Sequence, residues 1–233
     1  MKHLQQITRS RATGSLAFLL LATPACGVDD LDSVAGSDNL EDVSEPRDGG
    51  LVPVPSLVWI EGLLTHGVGC AGPSTVFSDI SLDRRSFYVI FFEMTLRNPP
   101  GAPVKTKNCV ASVKLHVPSG WQASVKTVTT NGYVYLEELM TARQTTNYFV
   151  AGYPLDYTAE LEFEGPIEQF YTHSDTSPAW SSVWSPCGKP AIFGINTTLT
   201  LNAVSNPDGV GFFNSTDVAG NFKKRFAIDW REC

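Results

Sequence analysis

Apolar and polar residues alternate along most of the chain from about residue 57 to residue 233. Between Cys109 and Val117 the apolar side chains occupy every second position, and Ser112, Lys114 and His116 lie between them. The same alternation returns at 159–164, 195–201 and 226–230. Because successive side chains of a β-strand point to opposite faces, a period of two predicts strands that are buried on one face.

Two local patterns predict how particular strands begin, end or pack. Residues 87–92 are apolar at every position, which predicts a central strand covered on both faces. Asn131-Gly132 lies between 125–128 and 133–135 and predicts a two-residue hairpin turn, since both residues tolerate positive φ. Residues 136–143 are predicted to form a short helical turn.

Turn signals separate these segments, at 98–101, 118–120, 165–166 and 206–209. No stretch of a dozen residues shows a convincing period of 3.6. Many short strands with frequent turns predict an all-β fold, an antiparallel β-sandwich of jelly-roll or immunoglobulin-like type. We expect residues 57–233 to form one domain, since about 180 residues suffice for one well-buried core.

The five cysteines divide into one and four. Cys70, Cys109, Cys187 and Cys233 form an even set in the predicted domain, and we expect two disulfides that staple the sandwich. Three pairings are possible, and the sequence does not choose among them. A zinc site is disfavoured because the spacings of 39, 78 and 46 residues contain no paired ligand motif. We expect no metal and no cofactor.

The N-terminal segment, residues 1–25, has the features of an export signal. Lys2, Arg9 and Arg11 precede a short apolar run at 16–21, which is shorter than the roughly 20 residues of a spanning helix. Ala25 then precedes Cys26 and Gly27, as in a bacterial lipoprotein signal. We predict lipidation of Cys26, which would attach the protein to a membrane of the cell envelope; the alternative is an ordinary signal peptide and free secretion.

An acidic segment follows, residues 26–56. Residues 27–50 include eight acidic residues and only one basic residue, Arg47. A segment this charged and polar cannot form a core, so a disordered tether is predicted. Outside the signal and the tether, 13 of the 17 basic residues and 16 of the 24 acidic ones remain. This near-neutral domain is a poor candidate for binding nucleic acid, whose affinity depends on neutralising phosphates. The basic run Lys223-Lys224-Arg225 is interpreted as a solvated strand start.

The residues around the cysteines together resemble a known family. The motifs lie at 69–70, 107–109, 115–121, 184–188 and 229–233, where the sequence reads GC, KNC, LHVPSGW, WSPCG and DWREC. With these motifs, the chain from about Gly67 to Cys233 resembles the domain of unknown function family numbered 4360. The resemblance implies a secreted β-rich domain of fungi and some bacteria, without an assigned activity, cofactor or catalytic residue.

Catalytic patterns are weak. No serine has the Gly-x-Ser-x-Gly setting of a hydrolase, and three histidines, His66, His116 and His173, are far apart in sequence. A polysaccharide hydrolase could use two carboxylates, and the candidates are Glu160, Glu162, Glu164 and Glu168. Glutamates spaced by two along one strand face are, however, more typical of an exposed face that resists aggregation.

Aromatic residues suggest a binding role instead. Trp180 and Trp184 lie in a Ser/Thr/Pro-rich stretch before Cys187, and flat rings can stack on sugar faces. The alternative is that both tryptophans pack into the core beneath a loop. We therefore expect an exported envelope or secreted protein with a binding or structural role, in contact with polysaccharide or another envelope polymer. A polysaccharide-active hydrolase and an exported protein-interaction module are the alternatives.

Overall fold

β-Strands form all of the regular secondary structure in the part of the chain described by a computed structural model, residues 53–72, 74–153, 156–176, 183–214 and 222–233. The strands are β1 (Ile60–His66), β2 (Val76–Ile80), β3 (Ser86–Phe91), β4 (Thr95–Asn98), β5 (Val104–Leu115), β6 (Trp121–Leu136), β7 (Thr141–Val150), β8 (Asp156–Glu164), β9 (Ile167–Thr176), β10 (Ala191–Asn202), β11 (Gly211–Asn214) and β12 (Phe222–Glu232). Among the described residues, no helix is long and apolar enough to cross a membrane.

The strands form two antiparallel sheets. The five-stranded sheet has the order β1-β5-β10-β7-β8, and the seven-stranded sheet has the order β2-β3-β12-β6-β11-β4. β6 is long enough to pair with β12 and then β11 along one side, while β9 pairs along its other side. The predicted all-β antiparallel sandwich is confirmed.

The core lies between the sheets and is built by the alternating apolar residues. Phe87 of β3 stacks on Phe226 of β12, with centroids 4.4 Å apart, and also faces Phe193 of β10 in the other sheet. Phe87 is fully buried. Large rings that bridge two sheets bury much apolar surface, so this cluster holds the layers together.

Each of the two disulfides joins two cysteines that follow one another in the sequence. Cys70, in the loop after β1, pairs with Cys109 of β5, and Cys187 pairs with Cys233 at the chain end. Of the three pairings left open by the sequence, the fold selects this one because the β1–β5 pair brings the first two cysteines within 5.5 Å, Cα to Cα.

The predicted hairpin at Asn131-Gly132 is wrong. Both residues lie inside β6, which runs without a turn from Trp121 to Leu136. Gly132 is needed for space: a Cβ there would lie 2.3 Å from Cζ of Tyr171 on the neighbouring β9. Its lack of a side chain serves packing, and the backbone conformation of a turn is not required.

Two further local predictions need correction. Residues 136–143 form no helical turn; Leu136 ends β6, and β7 begins at Thr141 after a tight turn with Leu139 at positive φ. β3 lies between β2 and β12 as a central strand, but only one of its faces is fully covered, since Tyr88 and Ile90 are half-buried on the other.

The predicted export signal, Cys26 and most of the predicted tether lie outside the described residues.

Candidate functional site

Four aromatic residues share the outer face of the seven-stranded sheet. On β6 and β11, Val134, Leu136 and Phe213 point into the core and are buried, so the residues between them point outward. On β9 the register pairs Phe170 with Tyr133. We call this group the aromatic platform: Tyr133, Tyr135, Phe170 and Phe212.

The Tyr133 ring contacts two other rings of the platform and is not coplanar with either. Tyr133 lies 4.9 Å from Phe170 at an angle of 52° and 5.9 Å from Phe212 at 57°. Phe170 is 65% exposed. A single exposed apolar residue is common, whereas several apolar rings grouped on one surface are typical of binding surfaces.

Charged groups lie at the edges of the platform. The Arg97 guanidinium of β4 lies over the Phe212 ring, 5.0 Å from its centroid. On the other side, the Tyr133 hydroxyl donates to Oε1 of Glu168 at 3.0 Å. Desolvation and the Glu168 carboxylate raise the pKa of Tyr133, which keeps its hydroxyl protonated as a donor.

An open cleft of about 570 Å³ adjoins the platform and shares Tyr135 and Glu168 with it. Its other walls include Glu137, Glu138 and Asn206. Glu137 Oε2 accepts a hydrogen bond from the Val210 amide at 2.9 Å, and Asn206 Nδ2 donates to the Glu138 carbonyl at 3.1 Å. The volume is in the range of small-ligand sites.

The structure places Trp184 beside the second disulfide, in a setting unlike that of an open stacking surface. It is half-buried, its carbonyl accepts a hydrogen bond from the Tyr153 hydroxyl at 2.6 Å, and Arg231 lies 4.2 Å over its ring. Trp180 lies outside the described residues. Ligand stacking by this pair stays a prediction.

The glutamates considered for hydrolysis do not form one site. Glu160, Glu162 and Glu164 line the exposed face of β8, at the edge of the five-stranded sheet, and Glu162 pairs with Arg143. Glu168 lies on the outer face of the other sheet.

The three histidines are also separate. His116 is stacked on Trp59, with centroids 3.5 Å apart, and bonds Glu61; His173 bonds Asp175. Within the described ranges, no group of three His, Cys, Asp or Glu side chains could hold a metal ion.

A buried lysine was missed by sequence reasoning. Lys224 does begin a strand with its basic neighbours, but it is fully buried instead of solvated. Its Nζ donates to Thr130 Oγ1 at 2.7 Å, Thr146 Oγ1 at 3.2 Å and Tyr148 Oη at 3.3 Å. The available signal was the phase of the strand: Lys224 lies two residues before Phe226 and therefore on the same buried face.

The network around Lys224 crosses the core between the sheets. The Tyr148 hydroxyl donates to Asp175 Oδ2 at 2.6 Å, and Asp175 Oδ1 lies 3.0 Å from His173 Nε2. Burial lowers the pKa of Lys224 to about 7, and the Asp175 charge opposes this shift without cancelling it. Burial and the same charge raise the pKa of Tyr148 far above its usual range.

A known family and a fungal protein are similar to this chain. The family described as Domain of unknown function (DUF4360) matches residues 56–233. A protein of Arthroderma benhamiae named "Uncharacterized secreted protein" is 30% identical over 200 residues, which cover 85% of this chain and 81% of the relative.

Similarity to solved structures is low. TmCBM61 in complex with beta-1,4-galactotriose is 9% identical with a TM-score of 0.25, and the match covers 74% of this chain and 90% of that one. The enzymatically active domain of bacteriophage CBA120 tailspike protein 4 is 11% identical with a TM-score of 0.21, over 66% of this chain and 19% of that one. Likenesses at this level support no conclusion about ligands.

Proposed function

The chain belongs to the DUF4360 family, and from this premise and the geometry of its outer sheet face we propose that it is an exported protein that binds polysaccharide through the aromatic platform. Two disulfides and the secreted relative support the exported location, since disulfides persist in oxidising compartments.

The exposed Phe170 ring beside Tyr133 carries this proposal. A sugar ring presents C–H groups on its faces and hydroxyls around its rim, so it can cover an aromatic ring and bond polar neighbours at once. Thr172 and Glu168 lie on the same face of β9, next to Phe170 in the alternation. The platform therefore combines an apolar surface with acceptors and donors at its rim.

The charges of the platform favour a ligand without a high charge density. Arg97 and Glu168 lie on different sides of Tyr133, so neither sign dominates the aromatic surface. The adjoining cleft is lined by carboxylates, which would repel a polyanion. A neutral polysaccharide fits both features.

The tilt of the rings favours single chains over a flat crystalline surface. Angles of 52° and 57° between neighbouring rings leave no common plane on which an ordered sheet of chains could lie. A soluble chain can bend to follow the rings, and its end or branch can enter the cleft beside Tyr135.

Attachment to a membrane through Cys26 is part of the proposal. The acidic segment would then act as a spacer that holds the platform away from the lipid surface, because like charges extend a linker. Labelled fatty acid should be incorporated into the wild-type chain and not into a Cys26→Ser variant. A wild-type chain that is released into the medium without label would show free secretion instead.

The binding test compares aromatic variants of the full chain. Affinity electrophoresis and calorimetry with soluble neutral polysaccharides, such as galactans, glucans and mannans, should show binding by the wild type. Phe170→Ala and Tyr133→Ala should each weaken binding by about tenfold or more, the range of about 1–3 kcal/mol for one lost aromatic contact.

Trp59→Ala is the matched control, since Trp59 is also an exposed aromatic residue but belongs to the edge of the other sheet. Its binding should equal that of the wild type. Loss of binding in Trp59→Ala alone, or no binding by the wild type to any of these polysaccharides, would reject the platform as the binding site.

A further inference from the structure

The two faces of β9 belong to two different parts of the molecule, the aromatic platform and the core. Its outer face contributes Phe170 to the platform, and its inner face contributes Tyr171, His173 and Asp175 to the core side. Among the described strands, β9 pairs only with β6. An edge strand has one ladder of backbone hydrogen bonds, so side-chain contacts decide how firmly it is held.

Two hydrogen bonds tie the inner face of β9 to β7 of the opposite sheet. The Tyr148 hydroxyl donates to Asp175 Oδ2 at 2.6 Å, and the Tyr171 hydroxyl donates to Gln144 Oε1 at 3.3 Å. Asp175 is 4% exposed. A short bond to a buried carboxylate is among the stronger hydrogen bonds in proteins.

Lys224 supports the same bond from the other end. Its Nζ lies 3.3 Å from the Tyr148 hydroxyl that donates to Asp175. The chain His173, Asp175, Tyr148, Lys224 thus runs from a half-exposed imidazole to a fully buried amine. We call these four residues the core clasp.

Other groups around Lys224 on neighbouring strands are mostly neutral. The titratable side chains on this side of the core are Tyr148 of β7, Tyr157 of β8, and Tyr171, His173 and Asp175 of β9. β3 contributes Val89, while β6, β7 and β10 contribute Thr130, Thr146 and Thr197. Asp175 is therefore the one carboxylate among the described groups that face the amine.

We propose that Lys224 is a positioning residue that, through the core clasp, holds β9 against the opposite sheet and thereby fixes the Phe170 ring of the platform. The contact between β9 and the opposite sheet loosens as the pH falls toward neutrality. The effect on ligand binding rests on the proposed function. The movement of β9 does not.

The direction follows from where the amine is solvated. When the clasp is closed, burial favours the neutral amine and the pKa of Lys224 is about 7. When β9 opens, water reaches the amine and the pKa of Lys224 returns toward the ordinary 10.5. Between these values the opened form binds one more proton than the closed form. The opening equilibrium should therefore rise by up to tenfold for each unit that the pH falls from 10.5 to 7.

Amide hydrogen exchange of the full chain tests this without any ligand. Protection factors of β9 amides, measured by NMR at pH 7.5 and 8.5, should be up to about tenfold higher at pH 8.5 in the wild type. Lys224→Met, which keeps the length of the side chain without the amine, should show equal protection at both pH values. Lys223→Met is the control, because Lys223 points outward over Tyr88, and it should behave like the wild type.

Three results would overturn the proposal. The first is that protection of β9 in the wild type does not change with pH. The second is that protection of β9 rises between pH 7.5 and 8.5 as much in Lys224→Met as in the wild type. The third is that protection of β9 equals the protection of central strand β10 at both pH values, which would mean that β9 opens only when the whole domain unfolds.

A second variant keeps the test decisive should Lys224→Met not fold. Tyr148→Phe cuts the link between Lys224 and Asp175 and should lower β9 protection by about tenfold while leaving β10 unchanged. Unchanged protection of β9 in Tyr148→Phe would show that the core clasp does not hold the strand. If the platform binds polysaccharide, affinity should also fall from pH 8.5 to 7.5 in the wild type and not in Lys224→Met.

Discussion

Gly132 of β6 and Tyr171 of β9 lie directly opposite each other, and the tyrosine ring occupies the space that a side chain at position 132 would need. Tyr171 in turn contacts Phe163 at 4.8 Å, and its hydroxyl reaches Gln144 across the core. One missing side chain therefore allows a bridge between the two sheets.

Replacing this glycine should destabilise the fold. In Gly132→Ala the new Cβ would meet ring atoms at 2.3–2.6 Å, so Tyr171 must move, and we expect a loss of about 1–3 kcal/mol in the free energy of unfolding. Urea unfolding measures it. Gly62→Ala is the control, since nothing lies within 4 Å of a Cβ there, and its stability should change by less than about 0.5 kcal/mol. Equal stability of the two variants would contradict this packing.

Stability should depend on pH through Lys224. Its folded pKa of about 7 lies below the ordinary 10.5, so the unfolded chain binds more protons between these values. The free energy of unfolding should therefore rise with pH across this window, by at most about 1.4 kcal/mol per unit from this group. Urea unfolding at pH 7, 8 and 9 should show a smaller slope for Lys224→Met than for the wild type. Parallel slopes would mean that Lys224 is solvated.

Each disulfide should contribute to stability. Non-reducing peptide mapping should recover Cys70 linked to Cys109 and Cys187 linked to Cys233. Replacing either pair by alanine should lower the free energy of unfolding by about 2–5 kcal/mol, because each bond closes a loop of tens of residues. A Cys109–Cys187 peptide would contradict the register of β5.

The contributions of the Tyr133 hydroxyl and of the Tyr133 ring to binding should be separable. Tyr133→Phe keeps the ring and loses the donor to Glu168, so stability should change by less than about 1 kcal/mol and polysaccharide binding should fall only slightly. Calorimetry beside Tyr133→Ala separates the two contributions. A Phe variant as weak as the Ala variant would assign recognition to the hydroxyl.

The sequence predicts part of the aromatic platform and of the core clasp. Alternation along β6 and β12 assigns Tyr133 and Lys224 to opposite faces of the sheet, yet it does not say which strands lie next to them. Phe170 and Phe212 are about 40 residues apart in the chain, and they meet at Tyr133 only through the register of β6 with β9 and β11.

The amino-acid sequence by itself determined the all-β class, the membership of the DUF4360 family and the number of disulfides. Alternation and turn residues are local features of the chain, and the cysteine count is a matter of composition. Only the tertiary structure decided which cysteines pair, why Gly132 lies inside a strand and that Lys224 is buried. Each of these depends on strand register, which is set by the packing of two whole faces against each other. Register joins residues that no local pattern connects.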